Sequence, residues 1–274
     1  MCVYLHQNCR LTTYSEEIRI LLEEKTAQYN RPQFIETDPV YVPHQFSRKE
    51  DIEIAGFLSA TIAWGNRQSI LKNALHLMKL MDYAPYDFVT SHQEGDLRIF
   101  NHFVHRTFQA EDVKYFMRAL QHIYLERGGL EQIFAGHATP TSIIPAIEAL
   151  HRIFFSLPHP PRTRKHLSDP AKGSAAKRIN LFLRWMVRKD DKGVDFGLWR
   201  SLSPAILSCP LDVHSAAVAR KLELLHRKQN DIKAVRELDS VLRSFDPDDP
   251  VKYDFALFGL GIFEKFSDKW PGPV

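Results

Sequence analysis

Between Val251 and Phe266 the chain reads VKYDFALFGLGIFEKF, and a helix through it has almost no polar side: Tyr253, Phe255, Ala256, Leu257, Phe258, Leu260, Ile262 and Phe263 are spread around its circumference. Such a helix is stable only when other elements enclose it. Whatever fold forms must therefore wrap helices around this segment. Asp246-Pro247-Asp248-Asp249-Pro250 supplies the turn that starts it. Gly259 and Gly261 cost helix stability, roughly 1 kcal/mol each against Ala. Their expected use is close packing against another helix, with Asp51–Trp64 as the partner.

The candidate neighbours are helical too. Asp51–Trp64 places Ile54, Phe57, Leu58, Thr61 and Ile62 at i, i+3, i+4, i+7 and i+8 with few charges, which predicts a central buried helix ending at Gly65. The same periodicity predicts amphipathic helices over Tyr14–Asn30, Ser69–Leu80, Glu111–Arg127, Thr141–Phe155 and Ile232–Leu242. Pro32, Pro39 and Pro43 make an extended connector, Asp82–Gly95 is turn-rich, and Leu157–Ala171, with four prolines, reads as a loop. Phe100–Thr107 interleaves aromatics with His102, His105 and Arg106, as core aromatics beside a surface turn do, or as base-stacking surfaces do. Asp190–Leu202 is expected to be a turn and a short helix, with Phe196 and Trp199 in the core or lining a pocket. With only 12 glycines in 274 residues, this periodicity indicates an all-α protein rather than a β sandwich.

Bulk properties exclude several classes. The formal net charge of +3 permits nucleic-acid binding without arguing for it. Cys2, Cys9 and Cys209 are scattered with no CxxC pair, so neither a disulfide framework nor a metal or iron–sulfur site is expected, and no cofactor is implied. No apolar run approaches the ~18 residues of a membrane span, and MCVYLHQNCR is not a signal peptide, so a cytoplasmic location is expected.

The chemistry-bearing residues gather in Ser208–Leu225, SCPLDVHSAAVARKLELL. Pro210 cannot continue a preceding helix, and Asp212 falls where a helix N-cap belongs. Val218, Leu222 and Leu225 give the following helix one buried face. Upstream, Arg162–Lys189 carries nine Lys or Arg and one acid, Asp169. Ile179, Phe182, Leu183, Met186 and Val187 form the apolar side of a helix there, and Lys177, Arg184 and Arg188 fall together on the other. A stripe of one sign is either a solvated face or a contact for an anion, for which phosphate is the usual candidate.

In order, KRINLFLRWMVR from Lys177, PLDVH from Pro210 and DPVKYDFALFGLG from Asp249 resemble the helix-hairpin-helix DNA glycosylase superfamily. They look more closely like a bacterial family of uncharacterised helical proteins with LFLRWMVR, PLDxH and DPVKYDFALFxLG-like blocks. The resemblance covers most of the chain from about Asp51. It implies an all-α, two-lobed bundle, with lobe A from 1–65 plus 213–274 and lobe B from 66–212, including a hairpin-like segment 172–189. It also implies duplex DNA with a damaged base as partner and Asp212 as the catalytic carboxylate. Asn66 and Arg67, just after the first buried helix, become wedge or base-contacting residues; the alternative is a helix end and a polar turn. Lys172-Gly173-Ser174-Ala175-Ala176-Lys177 lies where the superfamily has its PGVGRKTA-like hairpin, but Ala175 stands at the second glycine position. The resemblance makes Lys172, Gly173, Arg178, Arg184, Arg188 and His214 nucleic-acid contacts. Lys177 matches the lysine that attacks the sugar in bifunctional members, while its basic surroundings equally suit a phosphate contact.

The chemistry such a site would perform is cleavage of an N-glycosidic bond. The sugar becomes oxocarbenium-like, and a fixed carboxylate beside it stabilises that charge and orients water. The base must first leave the stack and enter a pocket. Two other classes stay open: nucleic-acid binding without cleavage, and a helical interaction protein in which Asp212 is only a cap. A cleft beside Asp212 separates the last from the others.

Overall fold

The computed structural model describes residues 2–266, with side chains from Ser15 onward, so Cys2, Cys9 and the Tyr14 side chain lie outside the described part. In chain order the helices and strands are α1 (Cys2–Tyr29), α2 (Pro32–Ile35), α3 (Lys49–Thr61), α4 (Arg67–Leu80), α5 (Pro85–Ser91), β1 (Val104–His105), β2 (Phe108–Gln109), α6 (Ala110–Glu126), α7 (Leu130–His137), α8 (Ile144–Phe154), α9 (Lys177–Val187), α10 (Val213–Lys221), α11 (Ile232–Phe245) and α12 (Tyr253–Ile262). Among the described residues the protein is all-α apart from the β1–β2 hairpin. No helix among the described residues is long and apolar enough to cross a membrane.

Helix α3 is central, as its periodicity predicts: every residue from Ile52 to Thr61 is buried. Gly56 lets α9 approach, because a Cβ there would lie 3.3 Å from Met186 and 3.4 Å from Phe182. Burying Glu53 in this helix requires partners. The indole of Trp199 and the hydroxyl of Tyr124 each donate to its carboxylate at 2.7 Å. Trp199 is thus a core residue, while Phe196 is half-buried and stacks on His44. The expected short helix in Asp190–Leu202 does not form; that segment is turns and coil.

Helix α12 is enclosed, but by different neighbours from those the sequence suggests. Gly259 lies under the ring of Tyr29 in α1, and Gly261 lies against the start of α10 at His214. Its glycines therefore admit α1 and α10, not α3. The Pro-rich segment after α8 is likewise more ordered than a loop. It forms 3-10 turns at Pro161–His166 and Pro170–Lys172, and Thr163 donates to the fully buried Asp112 at 2.8 Å.

Candidate functional site

Five helices reach one place. The end of α3, the start of α4, the start of α9, the start of α10 and one side of α12 surround a cleft of about 670 Å3. Its apolar walls include Phe34, Trp64, Leu181, Phe258 and Ile262; its charged groups are Asp38, Arg67, Lys177, Arg178, Arg184, Asp212, His214 and Asp254. The size suits a small organic ligand, and a few polar groups among apolar walls are what such pockets present.

Asp212 is both a helix cap and a cleft residue. Its Oδ1 accepts from the backbone N–H groups of His214 and Ser215, each at 2.8 Å, while Ser215 Oγ accepts from the Asp212 N–H at 2.9 Å. This reciprocal cap fixes the carboxylate without engaging Oδ2. That second oxygen meets Lys177 Nζ at 3.2 Å. Burial pushes the Asp212 carboxyl up, but Lys177 and the Ser215 donors outweigh it, and the group lies below its ordinary value. The cleft therefore holds an ionised, oriented carboxylate.

Lys177 is the first residue of α9, which begins without a side-chain cap after Ala176, itself at φ 49°. Arg178 is the next residue, but its guanidinium turns inward: it lies 4.8 Å over the Trp64 ring and donates to the carbonyl of Thr61. Burial lowers its pKa to about 10. It closes the open C-terminal end of α3 and holds Trp64 in the wall.

Two expectations for the basic stripe are corrected. Arg184 and Arg188 are 2% and 3% exposed. Arg184 pairs with Asp195 and Asp254, and Arg188 with Asp190, Asp195 and Asp249. They do not form an outward phosphate-binding face, because four carboxylates, two from the segment just after α9 and two from residues 249–254, neutralise them inside the protein. Arg188 does not reach the cleft, whereas Arg184 does. Lys172 and Gly173 are exposed but outside the cleft lining. The segment before Gly173 is a single 3-10 turn, so residues 172–189 are a turn and one helix rather than a helical hairpin. Gly173 does adopt the left-handed φ of 89° that its turn needs. Its carbonyl accepts from the N–H of Ile232, which ties the turn to α11.

Asn66 and Arg67 separate in role. Asn66 is the N-cap of α4, its side chain accepting from Ser69 N–H at 3.2 Å, and it stands outside the cleft. Arg67 reaches inward, its guanidinium 4.9 Å above Phe258 and 3.8 Å from Asp38 Oδ2. His214 is exposed at the rim-forming first turn of α10 and lines the cleft.

Four site residues escape a sequence reading. Asp38, in what reads as a connector, is buried; its Oδ1 accepts from Val40 N–H at 3.1 Å. Burial raises its pKa against the pull of Val40 N–H and Arg67. The Asp38-Pro39 pair, a turn-starting dipeptide, was the available signal. Trp64 and Phe258 read as core but face the cleft. Asp254, alone in an apolar helix, signalled a buried cation partner; burial raises its pKa to about 6, opposed by Arg184.

Residues 38–263 match the family described as "Protein of unknown function (DUF2400)". The chain belongs to the DUF2400 family. No curated protein and no solved structure matches it. The DUF2400 match spans every residue assigned above to the cleft except Phe34.

Proposed function

We propose that this DUF2400 protein is a base-excision DNA glycosylase, cleaving the N-glycosidic bond of a damaged base extruded into the cleft. The observation that carries the reading is the position of Asp212. Its Oδ1 is held by two backbone donors, its Oδ2 pairs with Lys177, both residues line the cleft, and the group is ionised. A carboxylate so fixed costs no reorganisation when positive charge develops on a sugar. A cap with no cleft beside it would favour a purely structural role; here the cleft is present.

The other parts follow the same reading. The walls come from both proposed lobes: Trp64 and Phe258 from 1–65 and 213–274, Ile70 and Leu181 from 66–212. Aromatic and aliphatic walls suit the faces of a flipped base. Lys177, at the uncapped start of α9, is placed for a phosphate next to the target sugar, since a helix N-terminus and an ammonium both favour an anion. Its ion pair with Asp212 also suits the role of amine nucleophile after base departure, when the carboxylate can take up its proton. Partner DNA would be neutral in demand on Arg184 and Arg188, which are already paired.

The test is base release from duplexes with single damaged bases, wild type beside Asp212→Asn. Asn keeps a capping oxygen and removes the charge. Release by wild type alone supports the proposal; equal release by both removes Asp212 from the mechanism. Duplex binding without release from any substrate would replace the proposal with non-catalytic nucleic-acid binding.

A further inference from the structure

The β1–β2 hairpin ends in a two-residue loop, Arg106-Thr107, because Val104 pairs with Gln109 and His105 with Phe108. The first residue of such a loop takes a positive φ, and glycine or asparagine normally fills it. Here it is Arg106, at φ 54°. Arginine bears a steric cost in that conformation that glycine escapes. The turn gains nothing from the side chain, so the return lies in where the side chain goes. It is laid over Gly65, which lines the cleft: a Cβ at Gly65 would be 3.0 Å from Nη1 of Arg106 and 3.1 Å from its Cδ. The preceding residue fastens the hairpin to the cleft wall. His105 Nε2 sits 3.3 Å from the carbonyl of Trp64, and the two rings meet edge to face at 5.1 Å.

A second basic segment adjoins the same wall. Arg162, in the 3-10 turn Pro161–His166, donates from Nη2 to the carbonyl of Thr107 at 2.9 Å. Lys165 of that turn gives its carbonyl to Arg178 Nη2 at 3.5 Å, and Arg178 lies over Trp64. Neither the loop nor the turn contains an acid. Arg162 and Arg178 are engaged within the protein, Arg162 with Asp112 at 3.0 Å and Arg178 with the carbonyl of Thr61. Asp112 itself is fully buried and also takes Thr163 and the N–H of Gln109. Arg106 and Lys165 differ: both are exposed, and among the described residues neither has an ion-pair partner. Burial keeps the adjacent His105 and His166 uncharged, so the charge this rim presents to solvent is cationic.

We propose that Arg106 and Lys165 form the docking surface for duplex DNA beside the cleft, each contacting a backbone phosphate next to the nucleotide that enters it. Exposed charges of one sign on adjoining loops repel one another and attract a polyanion. The planar guanidinium of Arg106 suits two hydrogen bonds to one phosphate, and the ammonium of Lys165 acts as a point charge. Such contacts hold a duplex in register without reading its sequence. Arg162 is a positioning residue, tying the hairpin loop to the turn. The inference rests on duplex DNA being the partner in the proposed function, but its test does not need catalysis.

The experiment is fluorescence anisotropy of a labelled duplex carrying one abasic-site analogue, titrated with the full chain over a range of salt concentrations. Each phosphate contact contributes about 0.9 to the slope of log affinity against log salt. Arg106→Gly removes the guanidinium and suits the positive φ, so the turn is kept. It is expected to lower the slope by about 0.9 and the affinity roughly tenfold at 0.1 M salt. Arg106→Gly with Lys165→Ala is expected to lower the slope by about 1.8. Arg106→Lys, which keeps the charge, is expected to keep the slope. Lys79→Ala is the control, at an exposed site in the last turn of α4, about 18 Å along the helix from Arg67; its slope is expected to match wild type. Absence of salt-dependent duplex binding by wild type, a slope unchanged in the double variant, or an equal fall in Lys79→Ala would overturn the inference. So would loss of thermal stability in Arg106→Gly with the slope intact, which would make Arg106 a packing residue over Gly65. Base release is run in parallel. The expected slope changes in a protein that releases no base would leave the docking surface standing and remove the glycosylase reading; base release with unchanged slopes would do the reverse.

Discussion

Lys177 Nζ stands 3.2 Å from Asp212 Oδ2, joining the first residue of α9 to the residue that caps α10. The two helix starts meet in the cleft with opposite charges, and the lysine is what keeps the buried carboxyl below its ordinary value. In Lys177→Met burial is opposed by the capping donors without the lysine, so Asp212 is expected to titrate at higher pH than in wild type. A carboxyl-carbon NMR titration measures this.

The same pair fixes a sign for stability. A carboxyl with a depressed folded pKa stabilises the fold above the unfolded value of about 3.9, and this is lost as pH falls through the folded value. Lys177→Met is therefore expected to lose stability relative to wild type at pH 6 and to lose little at pH 2. Urea unfolding at the two pH values checks it.

Arg184→Ala leaves the buried Asp254 without its ion-pair partner and Asp195 with Arg188 alone. Removing one member of a buried ion network costs about 3–5 kcal/mol, so this variant is expected to be strongly destabilised in urea. Lys172→Ala, at an exposed site, is expected to stay within about 0.5 kcal/mol of wild type.

That contrast marks what sequence can and cannot show. The enclosed α12, the buried α3 and the capping role of Asp212 were all legible, because each rests on residues within a few positions of one another. Arg184 and Arg188 were misread as an outward stripe because their partners lie elsewhere in the chain: Asp249 and Asp254 more than sixty residues on, and Asp190 and Asp195 in a segment expected to be partly helical. Helical spacing tells which residues share a face, not what covers the face. Helix α7 and the β1–β2 hairpin were missed for the opposite reason, each being too short for periodicity to register. The cleft itself was half legible. Lys177, Arg67, Arg178, Arg184, His214 and Asp212 do line it, whereas Asn66, Lys172, Gly173 and Arg188 do not, and Asp38 was hidden in a proline-rich connector.

Gly259→Ala tests the packing of α12. The added Cβ would lie 2.1 Å from the Tyr29 ring. Alanine gains about 1 kcal/mol of helix propensity, but overpacking costs typically 1–3 kcal/mol. A net loss of stability is expected in thermal unfolding, and restored stability in Gly259→Ala combined with Tyr29→Leu.

Asp239 provides a pH test away from the cleft. Burial lifts its pKa to about 6, only partly offset by the N–H of Cys209. A raised carboxyl favours the fold most at low pH, and that contribution is lost as pH rises from about 4 through 6. Wild type is expected to lose roughly 2–3 kcal/mol over that interval relative to Asp239→Asn, measured by urea unfolding across the range.

The most direct measurement is base release from a panel of duplexes each carrying one damaged base, comparing wild type with Asp212→Asn at matched protein stability. The account predicts release by wild type from at least one duplex and none by Asp212→Asn, with duplex binding retained by both. Release that survives in Asp212→Asn, or its absence from every duplex with wild type, would contradict it.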